Sequence, residues 1–539
     1  MVAGENIASR LAYYAAIQPT TPAVIHGSKV CRFDELLRRC DAYAHRLTGL
    51  GVARGTRVAL MVRPGVEFFA LTFALLKMGA IPVMIDPGMG LHHVGLCLEE
   101  AAPDVFIGIP LAHVARVWGA WRKGAWRTLV SIQGYFPGAR LLRGTSRPGE
   151  PFVGPKISSE DVAAILFTSG STGVPKGAVY LHRTFCAQVD ILAKEFGVGP
   201  GQIDLPTFPL FALFDAALGV TAIIPRMDFT RPGRVDPRAI LEPIQRYGVT
   251  QMFASPALLD RVSRWGVSRG VKLAGMKRVF SAGAPVSPGV LKRFCHLLPP
   301  EATVYTPYGA TEALPVAHIT AQEILTETAA AWAKGEGTCV GRPVGGVEVA
   351  VIPVNDEPIA EWMDALRLPV GVVGELVVRG PVVSPRYCQR PDHDARGKIT
   401  APDGTVWHRM GDLGRFDEAG RLWFLGRKSH RVRTFRGDMY TIPCETIFNQ
   451  HPTVRRTALV GVPDPHHAGF QMPVVCVELE PGQRKTADLA SELLALATEF
   501  EHTVGIRHLL FHPAFPVDIR HNAKIFREKL AQWAEARIT

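Results

Sequence analysis

The sequence predicts an α/β protein: a large amino-terminal body of parallel-type sheets with helices, followed by a small α+β carboxyl-terminal domain. Three observations carry this reading. Helical patterns alternate with short β-branched runs through most of the first 380 residues, as in crossover units around parallel strands. After Gly371 the texture changes to short strands punctuated by turns, and from Arg427 onward it returns to mixed α+β. The boundary is therefore placed near Arg427, giving units 1–426 and 427–539.

Taken in order, RVALMV reads as a strand and EFFALTFALLKMG as a helix. IPVMI and DVFIGI read as two further strands. The run from Phe68 to Asp86 is the most apolar in the chain, but Lys77, Gly79 and Pro82 interrupt it, whereas a spanning helix needs about 20 largely uncharged residues. It predicts a buried helix, a turn at Met78 and Gly79, and a buried strand from Ile81 to Ile85. Further on, Val162 to Phe167 is an apolar strand. GELVVRG, TVWHRMGDLGRF and DEAGRLWFLG are short strands, the last entered through a hairpin turn at Glu418-Ala419-Gly420. In the terminal part RTALVGV is a buried strand, Asp488 to Glu499 a helix, and KIFREKLAQWAEAR an amphipathic helix.

Lys and Arg number 60 against 49 Asp and Glu, a net charge of +11, yet the excess is spread along the chain. The densest cluster, Gly426 to Gly437, has no zinc-finger spacing and no RNP-like motif nearby, which argues against nucleic acid as a partner. The nine cysteines are odd in number, widely separated and never form C-x-x-C, so they are expected to be mostly buried reduced thiols in a cytoplasmic protein. Glu5 and Arg10 stand where a signal peptide needs an apolar stretch. A membrane span is not expected.

The strongest chemical signal is DVAAILFTSGSTGVPKG, an apolar strand that empties into a Ser/Thr/Gly loop closed by Lys176-Gly177. Glycines let backbone N–H groups approach phosphate oxygens, hydroxyls add neutral donors, and the lysine adds charge. The spacing is not that of G-x-x-x-x-G-K-[ST]. Alone, such a loop is more often an ordinary turn.

The full string TSGSTGVPKG, Thr168 to Gly177, resembles the phosphate-loop signature of the adenylate-forming superfamily of acyl-CoA synthetases, luciferases and peptide synthetase adenylation domains. SAGAP (Ser281 to Pro285), YGATE (Tyr308 to Glu312), MGDLG (Met410 to Gly414), GRK (Gly426 to Lys428) and HNAKIFREKL follow in the family's order. The resemblance implies a small β-barrel-like part in the body and a mobile carboxyl-terminal lid, with ATP and Mg²⁺ as cofactors. It implies that Thr168, Ser169, Gly170, Ser171, Thr172, Gly173 and Lys176 hold phosphates and that Gly283, Ala284 and Pro285 lie against adenine. By the same resemblance, Tyr308, Gly309, Ala310 and Thr311 are expected to complete the nucleotide site, with Thr311 at the α-phosphate, Glu312 as the Mg²⁺ ligand, and Asp412 and Arg427 near the ribose. Lys524 is expected to meet the substrate carboxylate and the α-phosphate, which makes Lys524, Thr311 and Glu312 the expected catalytic set. The physical rationale is a stackable ring, a hydroxyl, a hard oxygen ligand and an ammonium placed where negative charge develops.

The acceptor of the acyl group is a separate matter. Many acyl-CoA synthetases carry a histidine after an L-P-x-F-like run, but this chain reads LPTFPLFALFDAALG from Leu205 to Gly219, without it. The linker likewise has Ser429 near the place where many relatives carry a hinge Asp or Lys, while Gly437, Pro443 and Glu445 fit the family. Long strings such as MVRPGVEFFALTFALLKMGAIPV and HPAFPVDIRHNAKIFREKLAQW resemble the β-lactone synthetase subgroup of olefin biosynthesis, often labelled fatty acid CoA ligase. That implies a long-chain 2-alkyl-3-hydroxy acid substrate, activated as its acyl-AMP and closed by its own 3-hydroxyl. It also implies a multienzyme assembly with an upstream reductase and a downstream β-lactone decarboxylase. A fatty acyl-CoA or acyl-AMP ligase is the alternative, and a non-catalytic nucleotide-binding protein a weaker one. FALFDAALG is apolar enough to line an alkyl channel. Asp215 within it is either a contact for the 3-hydroxyl or, as the commoner fate, a structural aspartate at a helix start.

Overall fold

The computed structural model describes residues 6–119, 121, 126–143, 149–168, 175–517 and 525–538. Two large sheets form the body. The first has seven strands in the spatial order Arg140–Leu142, Thr128–Ile132, Val105–Gly108, Arg57–Met61, Ile81–Met84, Val162–Thr168 and Lys176–Leu181, all parallel except the last pair. Buried on both faces, such strands are continuous apolar runs, and four of the seven (Arg57–Met61, Ile81–Met84, Val105–Gly108 and Val162–Thr168) answer to runs read in the sequence. The helix Val66–Met78 is also apolar on nearly every side and buries Phe68 to Leu76 and Met78. Its chain ends at Gly79, whose φ of +70° suits a residue without a Cβ, and the strand Ile81–Met84 follows.

The second sheet has 14 strands. Its parallel part runs Pro22–His26, Thr221–Ile224, Ile203–Pro206, Gln251–Ala254, Arg278–Ser281 and Thr303–Ala310. At Thr311 and Glu312 the chain turns back into Ala313–Thr320, and from there the sheet is antiparallel through Thr338–Pro343, Leu422–Arg427, Val406–Phe416, Gly374–Arg379 and Glu348–Ile352. Antiparallel pairing begins at Thr311, ahead of the change to short strands after Gly371. One expectation is corrected here: the short-strand region is no β-barrel, and among the described strands there is no closed barrel, because these strands add to Thr338–Pro343 and extend the open sheet. The 418–420 turn does join two paired strands, with Gly420 at φ +71°.

Beyond Arg427, a three-stranded sheet of Val454–Pro463, Gln471–Leu479 and His508–Phe511 is flanked by the helices Thr441–Asn449, Ala487–Thr498 and Arg527–Ile538. Its apolar clusters are built from residues 432 and later. No disulfide joins the described residues, and seven of the nine cysteines are buried. None of the described helices is long and apolar enough to cross a membrane.

Candidate active site

Ligand sites in open α/β sheets form where parallel strands end, because loops diverge there and leave a crevice. Here Arg278–Ser281 ends in Ala282 to Pro285, and Thr303–Ala310 ends in Thr311 and Glu312. Both lie on the wall of one cavity of about 1720 Å³. The same cavity is lined by Lys176, Gly283, Ala284, Tyr308, Gly309, Ala310, Asp412 and Arg427, and by Ile525 and Arg527 of the terminal part. Residues scattered over 350 positions of sequence are thus brought together. Thr168 pairs with Lys176 across the two strands that flank the Ser/Thr/Gly loop. Ser169, Gly170, Ser171, Thr172 and Gly173, like Lys524, lie outside the described residues.

Asp412 and Arg427 are register partners on neighbouring antiparallel strands, so their side chains share a face. The Arg427 guanidinium lies 3.0 Å from one Asp412 oxygen and donates to the Met410 carbonyl at 2.8 Å. The Tyr308 hydroxyl donates to the other Asp412 oxygen at 2.6 Å. Burial pushes the Asp412 carboxyl up in spite of Arg427 and Tyr308. Burial and the Asp412 charge push the Tyr308 phenol well up, so it stays a donor. The arrangement presents an oriented carboxylate, the chemistry needed to accept from neighbouring hydroxyls.

The Thr311–Glu312 turn is pinned by groups from distant parts of the chain. The Tyr180 hydroxyl donates to the Thr311 carbonyl, Gln188 donates to the Leu314 carbonyl at 2.9 Å, and the Ser384 amide donates to the Glu312 carbonyl at 2.8 Å. The Glu312 carboxylate accepts from the Tyr387 hydroxyl at 2.8 Å. Two ammonium groups lie over the Tyr387 ring, Lys176 at 5.5 Å and Lys398 at 5.4 Å from its centroid. Lys398 is buried and donates to the Ser384 carbonyl at 2.6 Å. Burial lowers it to about 8 even with Glu312 beside it. Burial, with the Lys398 charge, drives His408 down to about 3, so its ring is neutral. Burial opposes ionisation of Glu312, but the Tyr387 hydroxyl and the Lys398 charge hold its carboxyl below the usual range. Lys176 is lowered by burial and supported by Glu312. The Tyr387 segment is held in place by backbone bonds from Cys388 to Gly177 (2.7 Å) and Val179 to Arg386 (3.0 Å), and by the Arg390–Glu100 ion pair at 2.8 Å.

Tyr387, Lys398 and His408 were not singled out from the sequence. Tyr387 and Lys398 lie outside the quoted motifs, His408 stands two residues before MGDLG without being given a role, and only the fold brings the three to Glu312. Arg409 and Lys428 were likewise given no role: both contact the buried Glu375 carboxylate, at 2.6 and 3.0 Å, and Lys428 also donates to the Asn355 carbonyl.

Another part of the cavity is apolar. Phe208, Phe211, Phe214 and Phe253 form one wall, with Phe211 and Phe253 centroids 4.6 Å apart, and Phe185 continues it toward Tyr180. The alkyl-channel reading of FALFDAALG therefore has its geometry, but the Asp215 part of it does not. Asp215 lies toward the end of the helix Pro209–Leu218, on the side away from the cavity, buried against Asp204. Desolvation raises Asp204 to about 7 and Asp215 well above the carboxylate range, so the two carboxyls share a proton in the interior.

The chain matches the family model for AMP-binding enzymes over residues 11–388. It is 49% identical over 552 aligned positions to the olefin beta-lactone synthetase of Stenotrophomonas maltophilia, covering 99% of this chain and 98% of that one. It is also 49% identical to the olefin beta-lactone synthetase of Xanthomonas campestris pv. campestris, over 93% of this chain and 90% of that one. Among solved structures, the amide bond synthetase of Marinactinospora thermotolerans superposes with a TM-score of 0.80 at 24% identity, over 97% of this chain and 99% of that one. The ATP-bound enzyme MatB of Rhodopseudomonas palustris superposes with 0.78 at 19% identity, over 99% and 100%.

Proposed function

The chain belongs to the AMP-binding enzyme family, and from that premise we propose that it works as a β-lactone synthetase on long-chain 2-alkyl-3-hydroxy acids. It is an AMP-forming ligase. The observation that carries the substrate is the continuity of one cavity from the Asp412–Arg427 and Glu312 groups to the wall of Phe208, Phe211 and Phe214. A nucleotide and an alkyl carboxylate fit end to end in such a space.

In the first step a carboxylate oxygen attacks the α-phosphorus of ATP and pyrophosphate leaves. The chain's task is to position the reactants and neutralise charge. Asp412, oriented by Tyr308 and Arg427, accepts from the ribose hydroxyls; the Gly283–Pro285 turn takes adenine; Thr311 and Lys176 face the phosphates. We assign Ser169, Gly170, Ser171, Thr172 and Gly173 to phosphate binding with Thr168, and Lys524 to the charge that develops between carboxylate and α-phosphate. Glu312 suits Mg²⁺: it is ionised, oriented by Tyr387, and among the described residues belongs to no cluster of three metal-ligating side chains. A single carboxylate completed by phosphate oxygens and water is the usual setting of that ion, which would neutralise the departing pyrophosphate.

In the second step the substrate's own 3-hydroxyl oxygen attacks the acyl carbon, the bond to the AMP phosphate oxygen breaks, and the hydroxyl proton passes to the departing AMP phosphate or to water. An intramolecular nucleophile has a high effective concentration, which offsets part of the ring strain. The separation of apolar clusters on either side of Arg427 supports a division into units 1–426 and 427–539, the second acting as a lid. A place in the cytoplasm, in an assembly that supplies the hydroxy acid by reduction and consumes the lactone by decarboxylation, completes the reading.

The test is incubation of the pure enzyme with ATP, Mg²⁺ and a synthetic 2-alkyl-3-hydroxy acid, with products identified by NMR. Lactone, AMP and pyrophosphate in equal amounts are expected without coenzyme A. A thioester formed in strict dependence on coenzyme A refutes the reading.

A further inference from the structure

The helix Pro110–Trp118 carries apolar side chains on the outside. Leu111 (63% exposed), Val114 (42%) and Trp118 (88%) follow the spacing i, i+3, i+7 and form one outward stripe. The same helix turns Ala112 and Ala115 inward, where they line the active-site cavity. Leu111 and Leu91 belong to both surfaces: they line the cavity and are more than half exposed. The cavity wall and the exposed apolar surface are therefore continuous here. Tyr135, 67% exposed, extends the surface. It lies next to Phe136, whose ring stacks at 5.0 Å on His113 of the helix, and on a loop where a Cβ on Gly134 would come 2.8 Å from Pro110.

Charge separates this region from the rest of the molecule. The sequence from Val105 to Gly149 contains no Asp or Glu, while Arg116, Arg127, Arg140 and Arg143 stand on the helix and on the sheet edge beside it. The last three are exposed. An apolar stripe ending in an exposed tryptophan, in a segment that carries arginines and no acid, is the composition of an interfacial helix on an anionic bilayer.

We propose that the face around the helix Pro110–Trp118 docks on an anionic lipid surface, and that the acyl substrate passes from that surface into the cavity between Leu91 and Leu111. The choice of a lipid surface rests on the acyl-substrate reading above: a substrate with long alkyl chains partitions into membranes, so a mouth opening onto a bilayer shortens its path through water.

The test is flotation of the full chain with phosphatidylcholine vesicles, with and without phosphatidylglycerol. Neither Val114 nor Trp118 lines the cavity, so the double variant Val114→Glu/Trp118→Glu leaves the active site intact. The wild type is expected to float with the anionic vesicles only and to be released by added salt. The variant is expected to bind about tenfold or more weakly, with pyrophosphate release on a short, water-soluble 3-hydroxy acid unchanged. Arg140→Glu/Arg143→Glu should weaken flotation in the same direction. Three outcomes overturn the proposal: no flotation of the wild type, equal flotation with neutral vesicles, or a Val114→Glu/Trp118→Glu variant that floats as the wild type does. A lipid-free oligomer of the wild type that this variant dissolves also overturns it, by assigning the face to a protein contact. Pyrophosphate release on the short acid needs no vesicles, so failure of the ligase reading is seen separately.

Discussion

Replacing Tyr387 by phenylalanine removes one hydroxyl and nothing else, which makes it the cleanest probe of how Glu312 is held. The ring remains under Lys176 and Lys398, so their contacts at 5.5 and 5.4 Å survive. What is lost is the 2.8 Å hydrogen bond to an ionised carboxylate. Hydrogen bonds to charged groups contribute about 1.5–3 kcal/mol, which converts to a factor of roughly ten to a hundred. Loss of a group that orients a metal-binding carboxylate weakens metal affinity by about the same factor. Pyrophosphate release should therefore be measured against free Mg²⁺ at saturating ATP. The half-saturating Mg²⁺ concentration is expected to rise about ten- to a hundredfold, with most of the maximal rate recovered at high Mg²⁺. A Mg²⁺ curve that superimposes on the wild type would refute the role given to Glu312, to Tyr387, or to both.

Glu375→Gln removes the anion shared by Arg409 and Lys428 and leaves the nearly inaccessible Arg409 charge without its partner. A loss of about 3–5 kcal/mol in unfolding free energy is expected, and a calorimetric melting curve unchanged from wild type contradicts it. Lys398 binds its proton less tightly folded (about 8) than unfolded (10.5), so between those values the unfolded chain holds more protons and stability rises with pH; below about pH 8 the cost is fully present. The shift corresponds to about 3 kcal/mol, so any advantage of Lys398→Met in denaturant unfolding should shrink by that order between neutral and strongly alkaline pH, and a difference that stays flat refutes the assignment. Asp215→Asn replaces one member of a proton-sharing carboxyl pair by its neutral isostere. The lactone-to-AMP ratio by NMR is expected to equal that of the wild type, and a clear fall in that ratio would restore Asp215 to the reaction.

How much of this was legible in the sequence depends on whether a feature is local. The helix Val66–Met78, its stop at Gly79 and the strand after it are encoded by apolar runs and a breaker within twenty residues, and they were readable. So were the strings that end the parallel strands, since SAGAP and YGATE each place their groups on one turn. The environment of Glu312 was not readable. Tyr387 and Lys398 reach it across 75 and 86 positions, through an antiparallel extension whose pairing depends on which strand edge is free. The barrel expectation failed for the same reason: short strands and turns specify hairpins, but open or closed is decided by the edge to which they add. For Asp215 the commoner, structural reading agrees with its burial away from the cavity, although its neighbours Phe214 and Ala217 line that cavity. A helix that packs one face on a wall and the other on a strand alternates those fates every three or four residues, and Asp215 falls on the face that meets Asp204.

The same geometry explains why the carboxylates near this site can do different work. Asp204 and Asp215 face each other with burial as the dominant influence, and they end up sharing a proton. Glu312 is desolvated too, yet Tyr387 and Lys398 keep it anionic. Asp412 lies between these limits, raised by burial but bound to Arg427 and Tyr308. Composition cannot tell these acids apart. Their partners do, and each partner arrives from another strand, so the chemistry of the site is a product of sheet register as much as of the motifs that announce it. A register slip of one residue between Val406–Phe416 and Leu422–Arg427 would turn Arg427 to the other face and leave Asp412 with Tyr308 alone. That is the sense in which the antiparallel extension, remote from the Ser/Thr/Gly loop in sequence, belongs to the proposed nucleotide site.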